Sequence, residues 1–108
     1  MQVNVTGIHI DVGESLRAHA EERMTDLTKY FSNIVEFNVN LSIEGHRHIA
    51  EATAAASGLV VRAHGEGADL YAAIDSVQEK LEKQLKKYKG RLQKHSKRRQ
   101  EASARLDE

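Results

Sequence analysis

The chain contains no cysteine, no proline and no long hydrophobic run, and its 16 basic and 16 acidic side chains leave it without net charge. Without cysteine there is no disulfide, no thiolate chemistry and no sulfur ligand for a metal, as expected in a reducing cytosol. Met1-Gln2-Val3-Asn4-Val5 lacks the basic segment and apolar stretch of a secretory signal. No apolar run reaches membrane-spanning length. A soluble, cytoplasmic protein is therefore expected, with no membrane partner. A Gly-rich phosphate loop is missing too, because Gly65-x-Gly67 lacks the lysine and the buried parallel strand that such a loop requires. At 108 residues the chain makes one domain around one modest core.

The neutral total hides a division. Residues 1–78 carry five basic against eleven acidic side chains, a net of −6, whereas residues 79–108 carry eleven basic against five acidic, a net of +6. Lys80, Lys83, Lys87, Arg91, Lys94 and Arg98 recur every three or four residues. At 100° per residue they fall within an arc of about 80° on one helix face. Leu70, Ile74, Val77, Leu81, Leu85, Tyr88 and Leu92 form a second face about 120° away. Between Lys80 and Arg99 only Glu82 opposes ten cations, so pairing along the helix cannot absorb them. Such a helix grips a core with one side and offers a row of cations to phosphates with the other.

Periodicity orders the elements. Val3 and Val5 make a short first strand ending near Gly7. A helix follows, with Leu16, Ala20, Met24, Leu27 and Phe31 on one face, Asp11 or Gly13 at its N-cap, and Ser32-Asn33 ending it. From Ile34 to Glu44 the period becomes two, with Val35, Phe37, Val39, Leu41 and Ile43 alternating with polar residues. Gly45-His46-Arg47-His48 forms a turn, Ala50–Ser57 a third strand, and Leu59–Gly65 a fourth with Val61 and Ala63 inward. Asp69 caps a long second helix reaching about His95. Residues 96–108 read as a polar, flexible tail. Three strands joined by short turns form an antiparallel meander, which the two helices must cover. The predicted fold is α+β, a two-layer sandwich with a four-stranded sheet and both helices on one face. The other face, bearing Asn38, Asn40 and Arg62, is left to solvent.

No catalytic, cofactor or metal site is expected. His46-x-His48 reads as a polar turn. Asp69, Asp75 and Glu79 suit dipole and solvent roles, and Ser15 and Ser76 have no histidine at suggestive spacing. A row of lysines suits phosphate oxygens better than base edges, because each acts as a point charge without planar geometry. Structured RNA, read by shape and backbone, is the expected partner. The helix-on-sheet plan resembles double-stranded-RNA-binding modules.

Met1-Gln2-Val3-Asn4-Val5-Thr6-Gly7, Ser15-Leu16-Arg17, Tyr30-Phe31, Glu66-Gly67-Ala68-Asp69-Leu70-Tyr71-Ala72-Ala73-Ile74-Asp75 and Lys80-Leu81-Glu82-Lys83-Gln84-Leu85-Lys86-Lys87 together resemble the ribosome hibernation promoting factors, also called sigma-54 modulation proteins or ribosome-associated inhibitors. The resemblance covers residues 1–95 and implies a β-α-β-β-β-α domain, not an enzyme. It implies binding to 16S rRNA of the small ribosomal subunit, in the channel used by messenger RNA and by transfer RNAs at the A and P sites, with translation silenced in stationary phase. It also implies a monomer away from the ribosome. Long members add a dimerisation domain for which this chain stops too soon. A short member works with a ribosome modulation factor to pair 70S particles into 100S dimers, and a related branch with a longer acidic tail opposes pairing. The mainly basic tail from Lys97 favours the first branch. Carried over by position, the RNA-binding residues are Arg23, Lys29, Lys80, Lys83, Lys87 and Arg91, supplemented by Lys86, Lys89 and Lys94, with Tyr71 and Ile74 as packing residues. Asp26 stands where relatives often carry lysine, which weakens the first helix's part. Ala54 and Ala56 replace larger side chains, which predicts a rearranged or looser core there. The competing expectations are a protein-interaction regulator of sigma-54-dependent transcription, using the sheet face or first helix, and a general RNA chaperone.

Overall fold

The computed structural model describes residues 1–56 and 58–95, with side chains described as far as Tyr88. The elements run β1 (Gln2–Gly7), α1 (Glu14–Leu27), β2 (Ile34–Glu44), β3 (Arg47–Ala56), β4 (Leu59–Gly67) and α2 (Leu70–His95). The expected tail, 96–108, lies outside the described residues. The sheet order is β1-β2-β3-β4, with β1 parallel to β2 and the other pairs antiparallel. A parallel pair needs a crossover connection, and α1 supplies it. The two-layer α+β sandwich expected from the sequence is the fold observed.

Local differences have local causes. β3 begins at Arg47, because Glu44 and Arg47 already pair across a two-residue turn. Gly45 has φ +61°, the positive value that the first central residue of a tight II′ hairpin demands. In β2 the strict alternation fails once. Ile34 pairs with Ala56 and Glu36 with Ala55, so Val35 is an extra residue in a bulge. Ile34 and Phe37 consequently face the core while Val35 stands 59% exposed. α1 stops at Leu27, short of the expected Phe31, because Thr28, Lys29 and Tyr30 donate to carbonyls three residues back and tighten the chain out of α geometry. Phe31 still packs against the core from this turn. At the start of α1, Gly13 is the N-cap without a side-chain bond. Asp69 caps α2 as expected, its Oδ1 accepting the N–H of Ala72 at 2.8 Å.

The core lies between the layers. Leu16, Ala20, Met24 and Leu27 of α1 and Ala73, Ile74, Val77, Leu81 and Leu85 of α2 meet Phe37, Val39 and Leu41 of β2. Ala50, Ala52 and Ala54 of β3 are buried, and Ala56 is half-buried. The helix descends onto this small-residue floor. A Cβ on Gly65 would strike Val77 N and lie 2.8 Å from Ala73 O. The Gly65-x-Gly67 pair is thus a seat for α2. Among the described residues no helix is long and apolar enough to cross a membrane.

Candidate nucleic-acid interface

α2 is held by its apolar stripe, with Ile74, Val77 and Leu81 at 0% exposure and Leu85 at 4%. Burying side chains of this size stabilises by roughly 1.5–3 kcal/mol each, so the helix's rotation about its axis is set. Lys80, Lys83, Lys86 and Lys87 are consequently exposed. Lys89, Arg91 and Lys94 belong to the same helix, but their side chains lie outside the described residues.

The described cations differ in what they face. Lys86 Nζ lies 3.2 Å from Glu82. Arg23 Nε donates to Asp75 Oδ1 at 2.9 Å, and Arg23 also lies 3.9 Å from Asp26. Lys29 lies 3.5 Å from Asp26. Asp26, noted in the sequence as a departure from the family pattern, thus sits between the two expected α1 contacts. Arg47 spans Glu66 at 2.6 Å and Glu44 at 3.6 Å. Arg17 Nη1 donates to the carbonyl of Val5 at 3.2 Å. Among the described residues, the side chains of Lys80, Lys83, Lys87, Arg62 and Arg17 keep no carboxylate partner, Arg17 being held by its bond to the Val5 carbonyl. The structure therefore groups the α2 row, and separates from it the α1 pair, whose charges are already balanced.

A polar seam between the helices was invisible in the sequence. Ser15, His19 and Arg23, four residues apart on α1, face Tyr71, Asp75 and Gln78 of α2. Tyr71 Oη donates to Ser15 Oγ at 2.9 Å, and its ring meets the His19 ring edge-on at 5.2 Å. His19 Nε2 lies 2.8 Å from Asp75 Oδ1. Gln78 Nε2 donates to the Arg23 carbonyl at 3.2 Å. Serine bonds tyrosine and histidine bonds aspartate, so the set docks two helices and does not line up a nucleophile with a base. The only sequence signal was the four-residue spacing on α1's polar flank. Ile74 packs as expected, but Tyr71 is 40% exposed.

The open sheet face is polar. Asn4 Nδ2 donates to Glu36 and to Asn38 Oδ1 at 3.1 and 3.0 Å. The Arg47–Glu66 hydrogen bond lowers the Glu66 carboxyl from its usual range, with Lys80 adding to the effect, and raises the Arg47 guanidinium. Among the described residues no group of three or more His, Asp or Glu is placed to hold a metal ion.

Two helices on one face of a four-stranded sheet, in the order β-α-β-β-β-α, with exposed lysines on the second helix, define the class of domain. The chain belongs to the family described as sigma 54 modulation protein / S30EA ribosomal protein, whose model matches residues 3–93. It is 38% identical over 95 residues to the ribosome hibernation promoting factor of Salmonella typhimurium, covering 88% of this chain and all of that one. A ribosomal subunit interface protein from Coxiella burnetii superposes with a TM-score of 0.79 at 28% identity, over 83% of this chain and 99% of that one. The N-terminal domain of Thermus thermophilus Protein Y gives 0.73 at 31% identity, over 82% and 99%.

Proposed function

We propose that this chain is a ribosome hibernation factor without enzymatic activity. It binds 16S rRNA in the small-subunit channel for messenger and transfer RNA at the A and P sites, and silences translation in stationary phase. Residues 1–95 form the ribosome-binding unit, and the cytoplasm is its place of action. Its likeness to a hibernation promoting factor along that protein's whole length favours support of 100S ribosome dimers, with a ribosome modulation factor as co-partner.

The observation that carries this reading is the set of exposed, unpaired lysines on α2, held outward by the buried stripe opposite. Phosphates meeting Lys80, Lys83 and Lys87 displace only water and counterions. Phosphates meeting Arg23 or Lys29 must replace Asp75 or Asp26. Those pairs are substantially solvated, so the exchange costs no more than about 1 kcal/mol each. The α1 cations can therefore join the interface, but as its weaker part.

Sedimentation of lysate through sucrose tests the proposal. Co-migration with 30S or 70S particles, and loss of the 100S peak on deletion of the gene, are expected. Absence from all ribosomal fractions would favour transcriptional regulation, and equal affinity for naked RNA and assembled subunits a general chaperone. On purified subunits, Lys83→Gln with Lys87→Gln should reduce the log–log salt slope of binding by about 1.4–1.8. An unchanged affinity would count decisively against the α2 row.

A further inference from the structure

We propose that Arg62 of β4 is an additional RNA contact. The phosphate-binding surface then follows the flank of the sandwich, from the outer side of α2 around the free edge of β4. This rests on the ribosomal RNA reading above and specifies which side of the domain meets the backbone.

β4 is the last strand of the sheet, so one of its edges has no strand neighbour. Val61 and Ala63 are buried beneath the helices, which sends Arg62 to the opposite face, where it is exposed. Arg62 pairs with Thr53 of β3. Yet its carbonyl accepts a 2.8 Å hydrogen bond from Gln84 Nε2 of α2. In an antiparallel ladder a residue's N–H and C=O point to the same side, so both backbone groups of Arg62 are directed away from β3, toward the free edge. Gln84 therefore ties α2 to that edge.

The same bond places the lysines. Around the α2 axis, Lys80 and Lys87 lie about 40° and 60° from Gln84, Asp75, gripped by α1, lies about 180° from it, and Lys83 stands between the two, about 100° from Gln84 and 80° from Asp75. Lys80 and Lys87 consequently lean toward β4 and away from α1. Lys80 is near enough to Glu66 of β4 for its charge to act on that carboxylate. Glu66, already bonded to Arg47, bounds the surface at this end. Four of the five described side-chain cations without a carboxylate partner, all but Arg17 of α1, are thus gathered on two adjoining elements. The lysines supply mobile point charges, and Arg62 a planar fork that can grip one phosphate through two N–H donors. Cations on two levels match a backbone's shape in a way that one straight row cannot.

Charged side chains beside a free strand edge can instead serve only to prevent strand addition by another chain. Binding to purified 30S subunits from 50 to 200 mM KCl separates these roles, with thermal midpoints confirming that each variant folds. Arg62→Gln should reduce the salt slope by about 0.7–0.9, and Arg62→Lys should retain it. If Arg62→Gln keeps the wild-type slope while the Lys83/Lys87 double variant loses slope, the inference is overturned and the ribosomal reading stands. If neither variant loses slope, the ribosomal reading fails with it. An unchanged slope accompanied by self-association of Arg62→Gln would make Arg62 an edge guard and overturn its role in RNA binding.

Discussion

Glu66 shows how far a single exposed pair can be pushed. Arg47 bonds both its carboxylate oxygens, at 3.3 and 2.6 Å, and Lys80 adds a second positive field. The folded-state carboxyl is lowered from the ordinary 4.5. Its contribution to stability is therefore present above the unfolded value and is lost as pH falls through the lower, folded one. Carboxyl NMR titration should find Glu66 below the other surface glutamates, and Arg47→Gln should move it upward. A Glu66 that titrates identically in both proteins would show that the pair does not persist in solution. The candidate contacts divide by the same logic. Lys83 and Lys87 were identifiable as outward-facing from spacing alone, whereas the partners of Arg23 and Lys29 were only partly so. Asp26 is three residues from each, but Asp75 lies 52 residues from Arg23. No local pattern reports such a pairing.

At the scale of elements, the controlling relation is the distance between α2 and β4. Gly65 permits it, because the nearest backbone atoms of Ala73, Ser76 and Val77 occupy the space a side chain would need. Gly65→Ala must lift the helix or bend the strand, and overpacking of this kind costs about 1–3 kcal/mol. For a domain of this size each kcal/mol lowers the midpoint by about 4–8 °C, which differential scanning calorimetry resolves. An unchanged midpoint would mean that the seat is looser than the structure shows. In the sequence Gly65 belongs only to an incomplete phosphate-loop pattern, and its packing role appears only when α2 is laid over it. The alanines of β3 follow the same rule. Ala54 and Ala56 suggest a loose core; Ala54 is closed over by the neighbouring layer, whereas Ala56 is half-buried and lines an apolar cavity of about 130 Å³ with Ile34, Leu59 and Leu85.

For the whole molecule, the sequence divides into parts of −6 and +6 net charge. Residues 1–78 supply the sheet, α1 and the start of α2, where most cations are paired, and the described lysines of the basic part stand exposed on α2. Under the proposed binding to RNA, long-range steering and the release of counterions from the phosphates dominate affinity. With six phosphate contacts, raising salt from 50 to 200 mM should weaken subunit binding about 10³-fold. A shallow salt dependence, measured by subunit pull-down across that range, would indicate that protein contacts, not RNA, hold the domain.

The order of elements, the amphipathic character of both helices, the cap at Asp69 and the angle of about 120° between lysine row and apolar stripe were readable from the chain itself. These are local properties, set by residues within a turn or two of one another. The parallel pairing of β1 with β2, the bulge at Val35, the α1–α2 seam, and the division of cations into paired and free depended on folding. Each is made by residues brought together from distant parts of the chain or by competition between neighbouring elements for the same space. Charge spacing therefore predicts a helix with one cationic face, and packing determines how its described lysines are turned relative to the core.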